Sequence, residues 1–187
     1  QFIRSRARKW NIDKQRIAAF GGSAGAQICM WLAFHDEMAD PESLDPIKRE
    51  SSRLRCVATN GGQTTMDFSW WKQNIPGYDK PHRPRSEYFG DIADTQLGQI
   101  IRDISAQSLI TADDPPLWMS YGMAPDAPMP SDARKKQGWK VHHVAFGIKL
   151  KAMMDELDVE SHLKYPGQQT QYASIADFFI AKLGCDQ

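Results

Sequence analysis

The chain has 187 residues, 41% of them hydrophobic and 25% charged, with 23 basic residues balanced by 23 acidic ones. A chain this long can bury roughly 70% of its unfolded surface around one core. A net charge of zero speaks against the basic field that a nucleic-acid or anionic-membrane binder needs. Aromatics at 10%, six of them Trp, speak against disorder, and no apolar run approaches the roughly 20 residues of a membrane span.

Apolar runs alternate with amphipathic ones along the chain, the pattern of an α/β domain with a mostly parallel sheet. Residues 1–9 (QFIRSRARK) read as the end of a basic helix, stopped near Trp10-Asn11. Residues 16–20 (RIAAF) form a buried strand that ends at Gly21-Gly22. From 24 to 36, Ile28, Trp31, Leu32 and His35 follow the spacing of one helical face. Residues 54–59 (LRCVAT) are a second strand, closed by Asn60-Gly61-Gly62. Residues 63–92 carry Phe68, Trp70, Trp71, Tyr78, Tyr88 and Phe89 among Pro and Gly, and read as an insertion or cap.

Residues 95–108 are helical in pattern, and 117–121 (LWMSY) form a third strand after Asp113-Asp114-Pro115-Pro116. A loop rich in Pro and Asp, 123–132, leads to a helix over 143–157 with Leu150, Met153, Met154 and Leu157 on one face. Residues 159–165 alternate as a half-exposed strand does, and Ile175, Phe178, Phe179 and Leu183 mark a last helix. The three cysteines, Cys29, Cys56 and Cys185, are scattered with no metal-ligand spacing and no sign of a disulfide framework. Cys29 and Cys56 lie in apolar stretches and read as small buried hydrophobes.

The informative motif is Gly21-Gly22-Ser23-Ala24-Gly25, a G-x-S-x-G. Alone it is weak, and a Gly-rich turn cradling a phosphate is the competing reading. Its setting between a strand and a helix is what a nucleophile elbow requires. There the turn holds the serine in a strained conformation, with glycines two before and two after leaving room for strand and helix to pack. The hydroxyl stands at the positive end of the following helix, and the Ala24 N–H points to where an oxyanion forms.

A serine nucleophile needs a base, and the base an orienting acid. In chain order the acid falls just past a later strand, which selects Asp126, with Asp132 as runner-up. A loop aspartate can equally cap the next helix. Of five histidines, His35 reads as a packed core residue, His82 as a solvated loop residue and His162 as a surface strand residue. His142 and His143 remain, at the start of the helix after the Asp126 loop, and His142 is slightly preferred as the base.

With those residues in hand, the chain resembles the C-terminal two thirds of an α/β-hydrolase, closest to bacterial carboxylesterases of the hormone-sensitive-lipase and feruloyl-esterase-like groups. The matching stretches are QFIRSRARKWNIDKQRIAAFGGSAGA, the DDPP before the third strand, and HHVAFGIKLKAMMDELDVESHLKYPG. The resemblance implies an α/β-hydrolase fold, a mostly parallel sheet flanked by helices. It implies Ser23 as nucleophile, Ala24 as an oxyanion donor and Asp126 as triad acid. Two departures stand out. The family places its histidine a few residues past a Tyr-Pro-Gly, where this chain has Gln168, Gln169 and Thr170. Only 22 residues precede Ser23, so the N-terminal strands and the H-G-G oxyanion loop of the family are missing. The chain therefore reads as a fragment, and is not expected to behave as a soluble monomer alone.

Two functions follow. One is hydrolysis of small-molecule carboxylic esters through an acyl-serine intermediate, with no metal or organic cofactor, no nucleic acid and no membrane span. The alternative is a catalytically impaired relative that binds a ligand or partner, suggested by the missing histidine.

Overall fold

The computed structural model describes residues 1–81 and 83–184, so His82 and Cys185, and what was expected of them, lie outside it. In chain order the elements are α1 (Phe2–Trp10), β1 (Ala18–Gly22), α2 (Ala24–Phe34), β2 (Cys56–Asn60), α3 (Phe68–Asn74), α4 (Arg85–Phe89), α5 (Asp94–Asp103), α6 (Ala106–Leu109), β3 (Leu117–Ser120), α7 (Ala133–Val141), α8 (Ala145–Glu156), β4 (Ser161–Lys164) and α9 (Ile175–Leu183). The four strands make one parallel sheet in the order β1-β2-β3-β4. Its register places Ala58 beside Phe20 on one side and Trp118 on the other, and His162 beside Trp118.

Alternation along each strand divides the core. Val57, Leu117, Met119 and Leu163 join Ala26, Met30, Phe146, Leu150 and Met154 on one face. Cys56, Ala58 and Trp118 meet Phe178 of α9 on the other. Helices thus cover both faces, which is why the inner strands read as continuous apolar runs. β4, at one edge, alternates buried Ser161 and Leu163 with half-buried His162 and Lys164. At the opposite edge β1 pairs with β2 alone among the described residues, and Phe20 is 56% exposed. No helix among the described residues is long and apolar enough to cross a membrane.

Several expectations are corrected. On α2 the buried face is Ala26, Met30, Ala33 and Phe34, whereas Ile28 is 67% exposed and the helix ends before His35. The helix AGAQICMWLAF is apolar nearly all round, so periodicity had no polar face to select against. Close approach decided instead: small Ala26 faces Gly62, where an added Cβ would lie 2.8 Å from the Ala26 methyl. The segment after Asp126 holds a helix of its own, α7, capped by Asp132, whose carboxylate accepts from Lys135 N at 2.8 Å. The capping aspartate of that loop is therefore Asp132. His142 ends α7, and α8 begins only at Ala145. His162 is not a surface residue: its ring packs edge-on against Tyr172 and Phe178, and its Nε2 meets Glu160 Oε1 at 2.8 Å.

The aromatic stretch 63–92 splits between two roles. Trp71 and Tyr78 are buried in the main core, with Trp71 against Phe146 at 4.8 Å, while Tyr88 and Phe89 face a pocket beside Ser23.

Candidate active site

β1 delivers the chain to the turn at Ser23, whose φ of 52° and ψ of −118° lie outside the left-handed well that Asn11 occupies. Such a backbone stores on the order of 1–3 kcal/mol and persists only where surroundings impose it. Here two constraints do so. Ser23 N–H donates to the Asn60 carbonyl at the end of β2, at 2.9 Å. Gly21 lies against the start of α2, where an added Cβ would sit 2.2 Å from the Gly25 carbonyl oxygen. The motif's glycines are therefore unequal: Gly21 makes the close approach, Gly22 has only Asn60 O at 3.8 Å, and a Cβ on Gly25 would meet nothing within 4 Å.

The strained turn leaves Ser23 and Ala24 exposed at the C-terminal edge of the sheet. Ala24 opens α2, so its N–H precedes the first intrahelical bond and is free to donate outward. From α7 comes His142, half-buried at the helix end, with its Nε2 2.9 Å from Ser23 Oγ. Its Nδ1 lies 3.0 Å from the Gly138 carbonyl. A carbonyl only accepts, so Nδ1 carries the proton and Nε2 presents its lone pair to the serine hydroxyl.

His143 is differently placed. It is 3% exposed, stacks edge-on with Trp139 at 4.5 Å, and accepts from Ala145 N at its Nδ1. Burial pushes its pKa below the usual histidine value, so it stays neutral inside the fold.

Asp126 is not brought to this pair. Its turn, closed by Ala127 N–H on Ala124 O at 3.1 Å, leaves it exposed, and both ring nitrogens of His142 have other partners. The rule that placed an acid after the third strand counts residues, whereas here α7 intervenes between that loop and the histidine. Sequence reasoning also missed Gly61, φ 57°, whose Cβ position lies 3.4 Å from His142 Cδ2, and Gln63 behind it. A Gly-rich strand end was the only available signal.

Beside Ser23 lies a pocket of about 490 Å³ between α2 and the 63–92 segment, lined by Ala24, Ile28, Trp31, Met66, Tyr88 and Phe89. On the other side, past Asn60, a more polar groove of about 860 Å³ runs along Ser120, Lys164, Gln168 and Gln169. Among the described residues no group of three or more His, Cys, Asp or Glu is disposed to hold a metal ion.

The family model BD-FAE, an α/β-hydrolase-type feruloyl-esterase domain, matches residues 1–134. The chain belongs to the BD-FAE family. No curated protein matches this BD-FAE chain significantly. Solved structures do share its fold. A truncated carbohydrate esterase from gut microbiota superposes with a TM-score of 0.67 at 18% identity, covering 98% of this chain and 65% of that one. An acetyl ester-xyloside bifunctional hydrolase from Caldicellulosiruptor lactoaceticus gives 0.63 at 19% identity, over 88% of this chain and 50% of that one. A carboxylesterase from Lactobacillus plantarum WCFS1 gives 0.53 at 15% identity, over 88% and 48%. The BD-FAE chain thus has the α/β-hydrolase fold and spans between about half and two thirds of the length of these structures.

Proposed function

We propose that this BD-FAE chain carries the nucleophile and base of a serine hydrolase that cleaves carboxylic esters through an acyl-Ser23 intermediate. The observation that carries the reading is the 2.9 Å approach of His142 Nε2 to the hydroxyl of a conformationally strained serine. His142 takes the Ser23 proton as Oγ attacks the ester carbonyl, and the resulting oxyanion turns toward the Ala24 N–H. The imidazolium returns that proton to the departing alkoxide, which leaves as the alcohol. Water, activated by the same imidazole, then releases the acid and restores Ser23.

The Gly138 carbonyl stands where a triad places a carboxylate. It selects the correct tautomer, which is half of the acid's task, but carries only a dipole to stabilise the imidazolium. The arrangement works as a Ser–His dyad, and suits esters with good leaving groups. The acyl part enters the apolar pocket of Trp31, Tyr88 and Phe89, and the alcohol leaves through the polar groove past Asn60.

The test is p-nitrophenyl acetate hydrolysis by the intact protein, native against Ser23→Ala. Turnover that vanishes with the hydroxyl is expected. Equal rates in both would turn the reading toward a binding protein on a hydrolase scaffold.

A further inference from the structure

Gln63 lies two residues beyond the contact between Gly61 and the His142 ring, and it is 6% exposed. Its single amide nitrogen donates to the Val141 carbonyl at 2.7 Å and reaches the Gly61 carbonyl at 3.4 Å. Val141 is the last residue of α7, so its carbonyl belongs to the final turn that has no intrahelical donor. The residue that follows is His142. One buried amide therefore ties the end of β2 to the peptide that carries the imidazole.

The next residue acts on the far side of the same turn. Thr64 Oγ1 donates to the Phe146 carbonyl at 3.0 Å, and is itself held by Gln107 Nε2 at 2.7 Å. At the near end of the segment, Asn60 takes the Ser23 N–H. Residues 60–64 thus touch the nucleophile at one end and bracket the His142 turn at the other. The Ser23–His142 hydrogen bond itself is solvent-exposed, where water competes for both partners. The part-buried bond of Gln63 to Val141 and the buried bond of Thr64 to Phe146 face less of that competition.

We infer that Gln63, backed by Thr64, is a positioning residue that holds His142 in register with Ser23 through the Val141 carbonyl. This rests on His142 being the base. Neither side chain reaches the reacting atoms; both act through the turn they clamp.

The test pairs Gln63→Met, which keeps length and removes the donor, with Thr64→Val, which keeps shape and removes the hydroxyl. Each is measured in the intact protein for kcat, KM and the rate of Ser23 labelling by an organophosphonate, with thermal denaturation to establish folding. Gln63→Met should lower kcat and labelling about 10- to 100-fold, with KM within about twofold, as displacement of a proton acceptor demands. Thr64→Val should show the same pattern to a smaller degree. In a His142→Ala background Gln63→Met should change labelling no further. A native labelling rate in a folded Gln63→Met protein overturns the inference, as does an equal loss with and without His142; should Gln63→Met not fold, native kcat in Thr64→Val overturns it. Native turnover in His142→Ala alone overturns the base assignment itself, a separate result.

Discussion

Substituting the three elbow glycines by alanine should produce three different outcomes from one chemical change. At Gly21 the new methyl would lie 2.2 Å from the Gly25 oxygen, 2.4 Å from its carbon and 2.8 Å from Ala26 N. All three are backbone atoms of the first turn of α2, so no side chain can rotate away. Restoring contact to the 3.4 Å of ordinary packing means moving the helix start by more than 1 Å against a buried sheet. Overpacking of that kind costs about 3 kcal/mol or more. For a domain of this size that lowers Tm by roughly 6–12 °C. Gly22→Ala meets only Asn60 O at 3.8 Å and should stay within about 1 kcal/mol of native. Gly25→Ala enters open space inside a helix, and should gain up to ~1 kcal/mol from helix propensity and reduced unfolded-state entropy. Thermal denaturation followed by circular dichroism gives the order, and phosphonate labelling of Ser23 should be lost in Gly21→Ala alongside stability. A Gly21→Ala protein with native Tm, or a Gly25→Ala protein as damaged as Gly21→Ala, would refute the packing argument.

Four further outcomes are expected. His142→Ala should lower kcat by roughly 10²–10⁴, the usual worth of a general base, while Thr170→His should leave it unchanged if His142 is the base as proposed; steady-state kinetics decide both. Ser23→Gly should abolish turnover yet raise the thermal midpoint, since glycine relieves part of the ~1–3 kcal/mol held in the serine backbone; an unchanged or lower midpoint would count against strain at the elbow. Burial works against the Glu37 carboxylate, but hydrogen bonds from Ser51, Ser52 and Ala39 outweigh it and hold its pKa at about 2, against 4.5 unfolded. A depressed folded pKa gives stability that is full above 4.5 and is lost as pH falls toward 2. Allowing for solvent screening, that is about 1 kcal/mol. Unfolding midpoints measured from pH 6 down to pH 2 should fall less steeply in Glu37→Gln than in the native protein.

The four described strands were legible, three as short apolar runs ended by Gly or Asn and β4 by its alternation, although the first, read as buried, lies at an edge with Phe20 exposed. The face of α2 was not, since a helix apolar all round is oriented by the small residues that allow close packing, not by periodicity. α7 escaped notice because ARKKQGWKV is mostly polar and buries only Trp139, and a helix with one buried anchor resembles a loop. Ser23 could be read because its turn imposes glycine, a chemical trace in the sequence. His142 was reached only by eliminating other histidines, and the structure shows why: its orienting partner, Gly138, is a main-chain carbonyl, which no side-chain motif encodes. Gln63 is silent for the same reason, as both of its acceptors are backbone oxygens.

Strand order in the sheet is the order of the chain, and this has a consequence for how the molecule assembles during synthesis. Among the four described strands, each later one adds to the free edge of the one before it, and none is inserted between two of them. The elbow, the 60–64 segment and the histidine turn are all complete by Phe146, before β4 and α9 leave the ribosome. The pair proposed to do the chemistry is therefore encoded ahead of β4 and α9. Errors within β4 and α9 would therefore cost stability first and alignment of the two proposed reacting side chains last.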